Sequence, residues 1–569
     1  MDCADWFKIV RPTWQNRFPQ PLADARKPEP VLGDEEAAIE WNENPERTVR
    51  RFVHMETYDE LRNPHSLFLF GRRGTGKTTY LNMLASEISR GEVGHYATSV
   101  ILQSQPLILG IAAQIRSSAL AHLPEAELAD ALIPVWKWII TVAAMHATLG
   151  TQEPLATEPV EIKQLRVFVD TVVSTSELSL TDGIRDRMHD LLHQALSDRP
   201  ASGGTGSAFR NINLFFRSEL FSRAAATIDA LMRRRPCLVL LDAGDVYAVR
   251  DPVPKAAITA LIACLTELAV QRERIGVIAK AAFPSEILPH VYPSNRGKME
   301  GRIVIINWAY RDLVALIAKR FTSIGNGASH EKGDQEKRHL DDPASAQALI
   351  YSCFPAAIET RVGIAFDTLA YIIRHTQRTP RQVIMLMNGI LTHARSTGWK
   401  PGAAIVEHQT IVKGVHIYLG HLVNDSIDMH RSMYDRLDQI VQGTLSQQEC
   451  YFRSEALGKM VKEVSFLRHS LDLERTDVIR VLFEIGVLGI AQEAHALQQQ
   501  ERPRFLLQAL FEYQVKQALS PGPGGLCVVH PMFYEWLGTR VDTGTFVYPM
   551  AFETEERRIL TTYGIPEKP

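Results

Sequence analysis

The stretch that decides the fold is SLFLFGRRGTGKTTYLNM, residues 66–83. It begins with a short apolar run that is typical of a buried strand, and from Thr78 onward its apolar residues have helical spacing. Between the two lies GRRGTGKT, residues 71–78, which fits the pattern G-x-x-x-x-G-K-[ST] without a mismatch. A glycine-rich loop between a strand and a helix surrounds an anion with backbone N–H groups and the positive helix end. The stretch therefore predicts a phosphate-binding loop (P-loop) for a nucleoside triphosphate.

The residues of this loop have distinct expected roles. The glycines let the backbone turn tightly and approach the phosphates closely. Lys77 is expected to reach the β- and γ-phosphates, and the hydroxyl of Thr78 is expected to bind Mg²⁺. The residues expected to contact the nucleotide are Gly71, Gly74, Thr75, Gly76, Lys77, Thr78 and Thr79.

A P-loop also needs a carboxylate on a neighbouring strand to orient Mg²⁺. The best candidate ends the apolar run CLVLLD, residues 237–242, because ligands of parallel sheets bind at the carboxyl ends of the strands. We therefore expect Thr78 and Asp242 to form the metal site. The alternative is a buried strand that ends in an ordinary turn aspartate.

The continuation of this run, LLDAGDVY, resembles the hhhhDGhDE signature of the signal-transduction (STAND) branch of AAA-like ATPases. It departs from that signature at Val246, which replaces an acidic residue, and this departure argues against fast hydrolysis. The resemblance implies ATP as the nucleotide and leaves Asp245 as the group that positions the attacking water.

Basic residues farther along the chain extend the resemblance. RIGVIAK, residues 274–280, is typical of the next core strand, where AAA-like ATPases keep a sensor of the γ-phosphate. The resemblance implies that role for Lys280, and the alternative is a surface lysine. RHTQRTPRQVIMLMN, residues 374–388, resembles the RxPR element of initiator-type and STAND ATPases. It implies that Arg381 contacts the nucleotide from a helical lid, and the alternative is a solvated basic helix start.

Two more roles follow from the same resemblance. Arg320 or Arg302 would act in trans as an arginine finger, and the alternative is an ordinary arginine on a helix face. His530 in VVHPMF matches in part the MHD-like step that senses ADP in STAND proteins, although Pro531 and Met532 replace its usual partners. The alternative is a core or capping histidine.

The sequence predicts an α/β fold, in which a parallel P-loop sheet with a helical insertion precedes an all-helical lid and a winged-helix domain. The predicted segments are an N-terminal lead and helix (1–65), an ATPase core (66–325) with its insertion (about 105–230), a lid (340–425), a winged helix (445–545) and a C-terminal tail (546–569). The presumed recognition helix carries mixed charges without a basic stripe, which favours partner contacts over DNA binding.

Composition limits the remaining choices. Lys and Arg number 62 and Asp and Glu 65, giving a formal charge of −3, so binding to nucleic acid through net charge is disfavoured. The six cysteines include no CxxC pair, which argues against a zinc knuckle or a disulfide framework. No signal peptide or membrane span is predicted, so we expect a cytoplasmic protein without a membrane partner.

Two functional hypotheses of different class follow. The first is a regulatory ATPase switch that controls a partner protein and forms a homo-oligomer; ATPases that resemble this chain often belong to bacterial phage-defence systems. The second is a DNA-binding ATPase similar to replication initiators or transposition regulators. A nucleotide-binding scaffold with negligible turnover is the third interpretation, because of Val246.

Overall fold

The computed structural model describes residues 30–150, 159–172, 179–197, 211–214, 216–244, 249–271, 275–325, 340, 342–359, 365–400, 405–431, 433–434, 436–463, 475–497, 504–515, 518–541 and 545–562. The chain forms two compact units. One unit is His54–Ile306, and the other contains residues up to Val53 together with Asn307 and the residues after it.

The P-loop unit is built on a parallel sheet. Its strands are β1 (Phe68–Gly71), β2 (Thr98–Gln103), β3 (Cys237–Asp242), β4 (Val277–Pro284) and β5 (Ile303–Ile305). Their order is β2-β3-β4-β1-β5, with every pairing parallel. Strands β1, β3 and β4 are buried along their whole length, as expected for a sheet covered by helices on both faces. The predicted α/β class with a parallel P-loop sheet is confirmed.

Helices cover this sheet. Those before and directly after the P-loop are α3 (Glu56–Arg62) and α4 (Lys77–Ser89). Between β2 and β3 lie α5 (Ser104–Arg116), α6 (Glu125–Gly150), α7 (Val160–Val172), α8 (Leu180–Ser197) and α9 (Glu219–Met232), in the region predicted as a helical insertion. After β3 come α10 (Pro252–Val270) and α11 (Leu288–Met299).

Two of these helices, α6 and α10, are long and apolar enough to cross a membrane by length and composition. Their most apolar stretches are 83% and 72% buried inside the fold. The two helices pack on each other, and Trp136 Nε1 donates a hydrogen bond to the carbonyl oxygen of Ala257 at 2.8 Å. Most of each apolar stretch is therefore packed inside the fold.

The second unit joins an N-terminal segment to the C-terminal half of the chain. Its first helices are α1 (Ala37–Glu43) and α2 (Pro45–Arg51). They are followed much later in the chain by α12 (Tyr310–Gly325), α13 (Pro343–Tyr351), β6 (Ala357–Glu359), β7 (Ala365–Asp367), α14 (Thr368–Ile373), α15 (Pro380–Ser396) and α16 (His408–Arg431). The lid was predicted to be all-helical; it contains the antiparallel pair β6–β7 as well.

The C-terminal part of this unit has a second sheet. Its elements are α17 (Leu437–Leu445), β8 (Tyr451–Arg453), α18 (Ser454–Glu463), α19 (Arg475–Glu484), β9 (Leu488–Leu497), β10 (Arg504–Phe511), β11 (Leu526–Val529), α20 (Tyr534–Leu537), β12 (Thr545–Pro549) and α21 (Thr554–Thr562). Helices α18 and α19 followed by the antiparallel pair β9–β10 have the order of a winged helix.

The predicted C-terminal tail, residues 546–569, belongs to this fold over its described part. Strand β12 pairs in parallel with β10 at the edge of the sheet. On α21, the Glu556 carboxylate pairs with the Arg378 guanidinium, and both side chains are buried. The tail interpretation is therefore wrong for residues 546–562, because the segment completes a sheet and closes a buried ion pair.

Candidate nucleotide-binding site

The P-loop turns between β1 and α4 through left-handed glycines. Gly74 and Gly76 have φ values of +80° and +91°, which favour glycine over residues with a Cβ atom. A Cβ atom on Gly71 would lie 2.4 Å from Thr75 Oγ1, so the loop also needs glycine there for space. Helix α4 begins at Lys77, directly after the left-handed Gly76. The N–H groups of its first turn are therefore available to an anion held by the loop.

Lys77 lies inside this loop and is 5% exposed. Its Nζ atom donates to the carbonyl oxygens of Gly71 at 2.8 Å and Arg72 at 3.1 Å. Thr75 Oγ1 donates to the same Arg72 carbonyl at 2.7 Å, which fixes the turn. The carbonyl groups of two loop residues thus hold the ammonium group of Lys77 at the start of the helix.

Asp242 ends β3 beside the P-loop, as the sequence predicts. Thr78 Oγ1 donates to Asp242 Oδ2 at 2.7 Å, and the N–H of Gly244 donates to Asp242 Oδ1 at 3.0 Å. Asp242 is 6% exposed, so this carboxylate is held in place on both oxygens. The remaining predicted contact, Thr79, lies half-buried in the first turn of α4.

The oxygen atoms of Thr78 and Asp242 fit a Mg²⁺ ion that is shared with phosphates. In the described part of the chain, no group of three or more His, Cys, Asp or Glu side chains is arranged to hold a metal ion alone. Mg²⁺ in phosphate-transfer sites needs only one or two protein ligands, with phosphates and waters supplying the others. The donor set therefore suits a metal that arrives with a nucleotide.

Gly244 completes the site, although the sequence analysis did not single it out. A Cβ atom at this position would lie 3.0 Å from Asp242 Oδ1 and 3.4 Å from Lys77 Cε. The absence of a side chain therefore keeps open the space between the lysine and the aspartate. Asp245, one residue farther on, lies outside the described residues.

Glu286 is another residue that the sequence analysis did not identify. It follows β4 in a short 3₁₀ turn, residues 285–287, and is 5% exposed. Its Oε1 atom lies 3.7 Å from Nε of Arg72, a P-loop residue. The signal that could have located it is the apolar stretch 281–283, which shows that the strand continues past Lys280.

Lys280 has no exposed surface and lies within β4. Its Nζ atom donates to the carbonyl oxygens of Leu61, Asn63 and Ser66 at 2.6–2.7 Å. In the sheet register it pairs with Leu240, two residues before Asp242. This geometry favours a structural role for Lys280, tying the end of α3 to the sheet, over the predicted sensor role.

Arg320 and Arg381 lie in the other unit, and each is held by carboxylates. Arg320 is 6% exposed; its Nη2 atom lies 2.6 Å from Glu40 Oε2, and Nη1 donates to the Leu32 carbonyl at 2.8 Å. Burial lowers the pKa of Arg320, and Glu40 counteracts that effect. An arginine finger has to be exposed, so this arrangement favours a structural role. Arg381 lies in the first turn of α15, with Nη2 2.9 Å from Glu36 Oε1.

His530 directly follows β11 and is fully buried. Its Nδ1 atom accepts a hydrogen bond from the N–H of Met532 at 3.1 Å, and Nε2 lies 2.9 Å from Tyr513 Oη. Both ring nitrogens therefore have partners within the same unit. This geometry favours the alternative of a core and capping histidine over the ADP-sensing role.

Comparisons with known proteins place part of this chain near one family. Residues 40–94, which include the P-loop, match the family model described as ORC-CDC6-like. A comparison with curated proteins gives no match.

Solved structures with similarity to this chain include two of one protein and one of another. The ORC2 protein of Aeropyrum pernix in ADPNP–ADP complexes is 11% identical, with coverage of 82% of this chain and 91% of that one and a TM-score of 0.32. Its ADP form is 12% identical, with 77% and 87% coverage and a TM-score of 0.29. Cdc6p from Pyrobaculum aerophilum is 12% identical, with 78% and 90% coverage and a TM-score of 0.26.

Proposed function

We propose that this protein is an ATP-binding and ATP-hydrolysing regulatory switch that controls a partner protein. The observation that carries the proposal is the convergence of Lys77, Thr78 and Asp242 at the carboxyl edge of one parallel sheet. In the proposal, the backbone of the loop and the start of α4 bind the phosphates, and Lys77 exchanges its carbonyl partners for the β- and γ-phosphates. Thr78 and Asp242 hold Mg²⁺, which neutralises charge on the phosphates when it is bound.

Contacts within the second unit support a conformational change that depends on the bound nucleotide. Arg381 lies in the first turn of α15, and the turn before this helix forms hydrogen bonds with the C-terminal domain. Gln377 Nε2 donates to the Ile485 carbonyl at 2.7 Å, and Arg378 pairs with Glu556. In the proposal, Arg381 would contact the nucleotide and move together with the C-terminal domain. Nucleotide binding would then shift the equilibrium between two conformations of the protein. That domain would present the surface that the partner protein recognises, in a homo-oligomer or alone.

DNA binding through the winged-helix-like elements is the less favoured alternative. Arg480 of α19 donates from Nη2 to Glu512 Oε1 at 2.6 Å and also lies beside Glu484. A guanidinium held by two carboxylates of its own chain is poorly placed to contact DNA phosphates. The phage-defence setting is proposed from the resemblance to defence-associated ATPases.

The test compares wild type with Lys77→Ala, with Lys255→Ala as the control. Lys255 is in the same unit, and its ion pair with Glu125 is partly exposed at 2.8 Å. Nucleotide affinity and phosphate release are measured with and without duplex DNA. We expect Lys77→Ala to weaken nucleotide binding about 10- to 100-fold, because hydrogen bonds to charged groups contribute about 1.5–3 kcal/mol.

Each outcome separates the hypotheses. Slow turnover that is lost in Lys77→Ala and indifferent to DNA supports the switch. Turnover raised severalfold by DNA supports the DNA-binding alternative. In that case the logarithm of the DNA affinity should fall with the logarithm of the salt concentration, with a slope of about 0.9 per phosphate contact. Equal nucleotide affinity in wild type and Lys77→Ala would refute the nucleotide site.

A further inference from the structure

Glu286 is a buried carboxylate with incomplete hydrogen bonding. Its side chain is 3% exposed, and within the described residues no donor forms a hydrogen bond with Oε1. Ser285 Oγ lies 3.5 Å from the other oxygen, Oε2, at the limit of a hydrogen bond. An ionised carboxylate has about four acceptor sites, and buried polar atoms are normally satisfied. The site therefore leaves acceptor capacity on a carboxylate that solvent scarcely reaches.

The sheet places this carboxylate beside the P-loop. Strand β4 lies between β1 and β3, and its register pairs Pro284 with Gly71 and Ala282 with Asp242. Glu286 follows Pro284 by two residues and so leaves the sheet at the edge where the P-loop and Asp242 also lie. Ligands of parallel sheets bind at this edge.

Arg72 connects Glu286 to the P-loop. Its Nε atom lies 3.7 Å from Glu286 Oε1, and its carbonyl oxygen accepts the hydrogen bond from Lys77 Nζ at 3.1 Å. One loop residue thus contacts both the phosphate-binding lysine and the carboxylate. The distance between Arg72 Nε and Glu286 Oε1 exceeds that of a hydrogen bond. The guanidinium therefore lies close enough to attract the carboxylate and leaves Oε1 able to accept a proton.

The neighbouring carboxylate is less suited to receive a proton from water. Asp242 accepts hydrogen bonds on both oxygens, from Thr78 and from Gly244. Both oxygens of Asp242 thus already have hydrogen-bond donors within the site. Glu286 lies at the same edge of the sheet, and no hydrogen bond within the described residues occupies its Oε1 atom.

We propose that Glu286 is the carboxylate that orients and deprotonates the water attacking the γ-phosphate, with Arg72 as its positioning residue. The inference rests on the proposed function, since it assigns a role within that ATPase site. In the step, the water oxygen forms a bond to the γ-phosphorus while the bond from phosphorus to the bridging oxygen breaks. The bond's electron pair leaves with ADP, and one water proton passes to Glu286. That proton then returns to solvent or to the released phosphate.

The test uses Glu286→Gln, Glu286→Asp and the matched control Glu87→Gln in the full chain. Glu87 is also buried and paired with an arginine, with Arg62 Nε 3.2 Å from its Oε2. It lies at the far end of α4, about 15 Å from Lys77 at 1.5 Å per helical residue. Equilibrium binding of a fluorescent ATP analogue, kcat, KM and the unfolding midpoint are measured for each protein.

For Glu286→Gln, we expect kcat to fall about 100-fold or more while nucleotide affinity stays within twofold, because general-base catalysis contributes about 10²- to 10⁴-fold. Glu286→Asp should recover part of kcat, since it restores the carboxylate at a shorter reach. Glu87→Gln should keep both the kcat and the nucleotide affinity of wild type. Its unfolding midpoint shows how much stability is lost when a buried carboxylate is neutralised away from the site.

Three results would overturn the inference. Wild-type kcat in Glu286→Gln would exclude Glu286 while leaving the proposed ATPase intact. If Glu286→Gln lost both nucleotide binding and kcat, Glu286 would have a structural role in the P-loop instead of a catalytic one. Absence of binding and turnover in wild type itself would instead refute the proposed function, on which this inference depends.

Discussion

At the residue scale, Lys280 shows how position along a strand changes the role of a charged side chain. The P-loop was predictable because its glycines, lysine and threonine are contiguous and their roles follow from backbone chemistry. Lys280 was interpreted as the end of its strand because a lysine usually terminates an apolar run. The strand continues to Pro284, and three backbone carbonyls satisfy the buried ammonium group. Such long-range carbonyl partners leave no local pattern in the sequence.

Replacement of this lysine separates the structural role from the sensor role. Lys280→Met keeps most of the volume but leaves three carbonyl acceptors without their donor. We expect the free energy of unfolding to fall by at least about 2 kcal/mol, because an unsatisfied buried polar group costs about 1–3 kcal/mol. At a temperature where the variant is folded, kcat and KM should stay within twofold of wild type.

Lys298→Met is the control for the Lys280 experiment, since Lys298 is exposed on α11 in the same unit. Denaturant unfolding and phosphate release are measured on both variants. A large loss of kcat in Lys280→Met with unchanged stability would restore the sensor interpretation.

At the scale of elements, strands buried on both faces were the most predictable. The run CLVLLD coincides with β3 to the residue, because a continuous apolar run is the signature of a parallel core strand. The position of Glu286 was missed with the end of β4, since that end lies four residues beyond Lys280. The pair β6–β7 was also missed, since its strands have three residues each and show no periodicity.

The contact between α15 and α16 depends on a glycine that the sequence pattern does not distinguish. A Cβ atom on Gly389 would lie 2.3 Å from Cγ of Tyr418, so the helices approach too closely for any side chain there. We expect Gly389→Ala to lower the free energy of unfolding by about 2 kcal/mol, because overpacking a core typically costs about 1–3 kcal/mol.

Gly297→Ala on α11 provides the comparison for this substitution, since nothing lies within 4 Å of its added Cβ atom. There alanine should be neutral or stabilise by up to about 1 kcal/mol through helix propensity. Chemical denaturation of both variants checks the pair of expectations. Equal stability of the two variants would show that the Gly389 contact relaxes at little cost.

At the scale of the whole molecule, the grouping of distant segments was beyond sequence reasoning. The predicted N-terminal domain ended at residue 65, whereas residues up to Val53 form a unit with Asn307 and the residues after it. The contacts responsible join segments hundreds of positions apart. Asn388 Oδ1 accepts from the N–H of Leu32 at 2.8 Å, and its Nδ2 donates to the Gly33 carbonyl at 3.0 Å. Hydrophobic periodicity carries no information on such pairings.

Glu40 joins the two segments of this unit through buried ion pairs. It is 2% exposed, and its two oxygens lie 2.6 Å from Arg51 and from Arg320. Glu40→Ala leaves two buried guanidinium groups without their carboxylate, so we expect a loss of about 3–5 kcal/mol in the stability of this unit. Limited proteolysis during a temperature series should show cleavage after residue 307 at lower temperature, with residues 54–306 still protected.

Glu43→Ala, on the same helix, is the matched control for Glu40→Ala. Its carboxylate is 59% exposed and pairs with Arg47 at 3.2 Å. A surface pair of this kind contributes at most about 1 kcal/mol, so its proteolysis pattern should match wild type. Simultaneous loss of protection in both units of Glu40→Ala would contradict the assignment of Glu40 to one of them.

The division of the chain also determines the order in which the protein can acquire structure during translation. Leu32 is synthesised 356 positions before Asn388, its hydrogen-bond partner. At about 5–20 residues per second, the segment waits roughly 20–70 s on the ribosome for that partner. The unit His54–Ile306 is complete well before then. The residues that leave the ribosome early are therefore among the last to be fixed, and the phosphate-binding half can fold while its flanking segment is still unpaired.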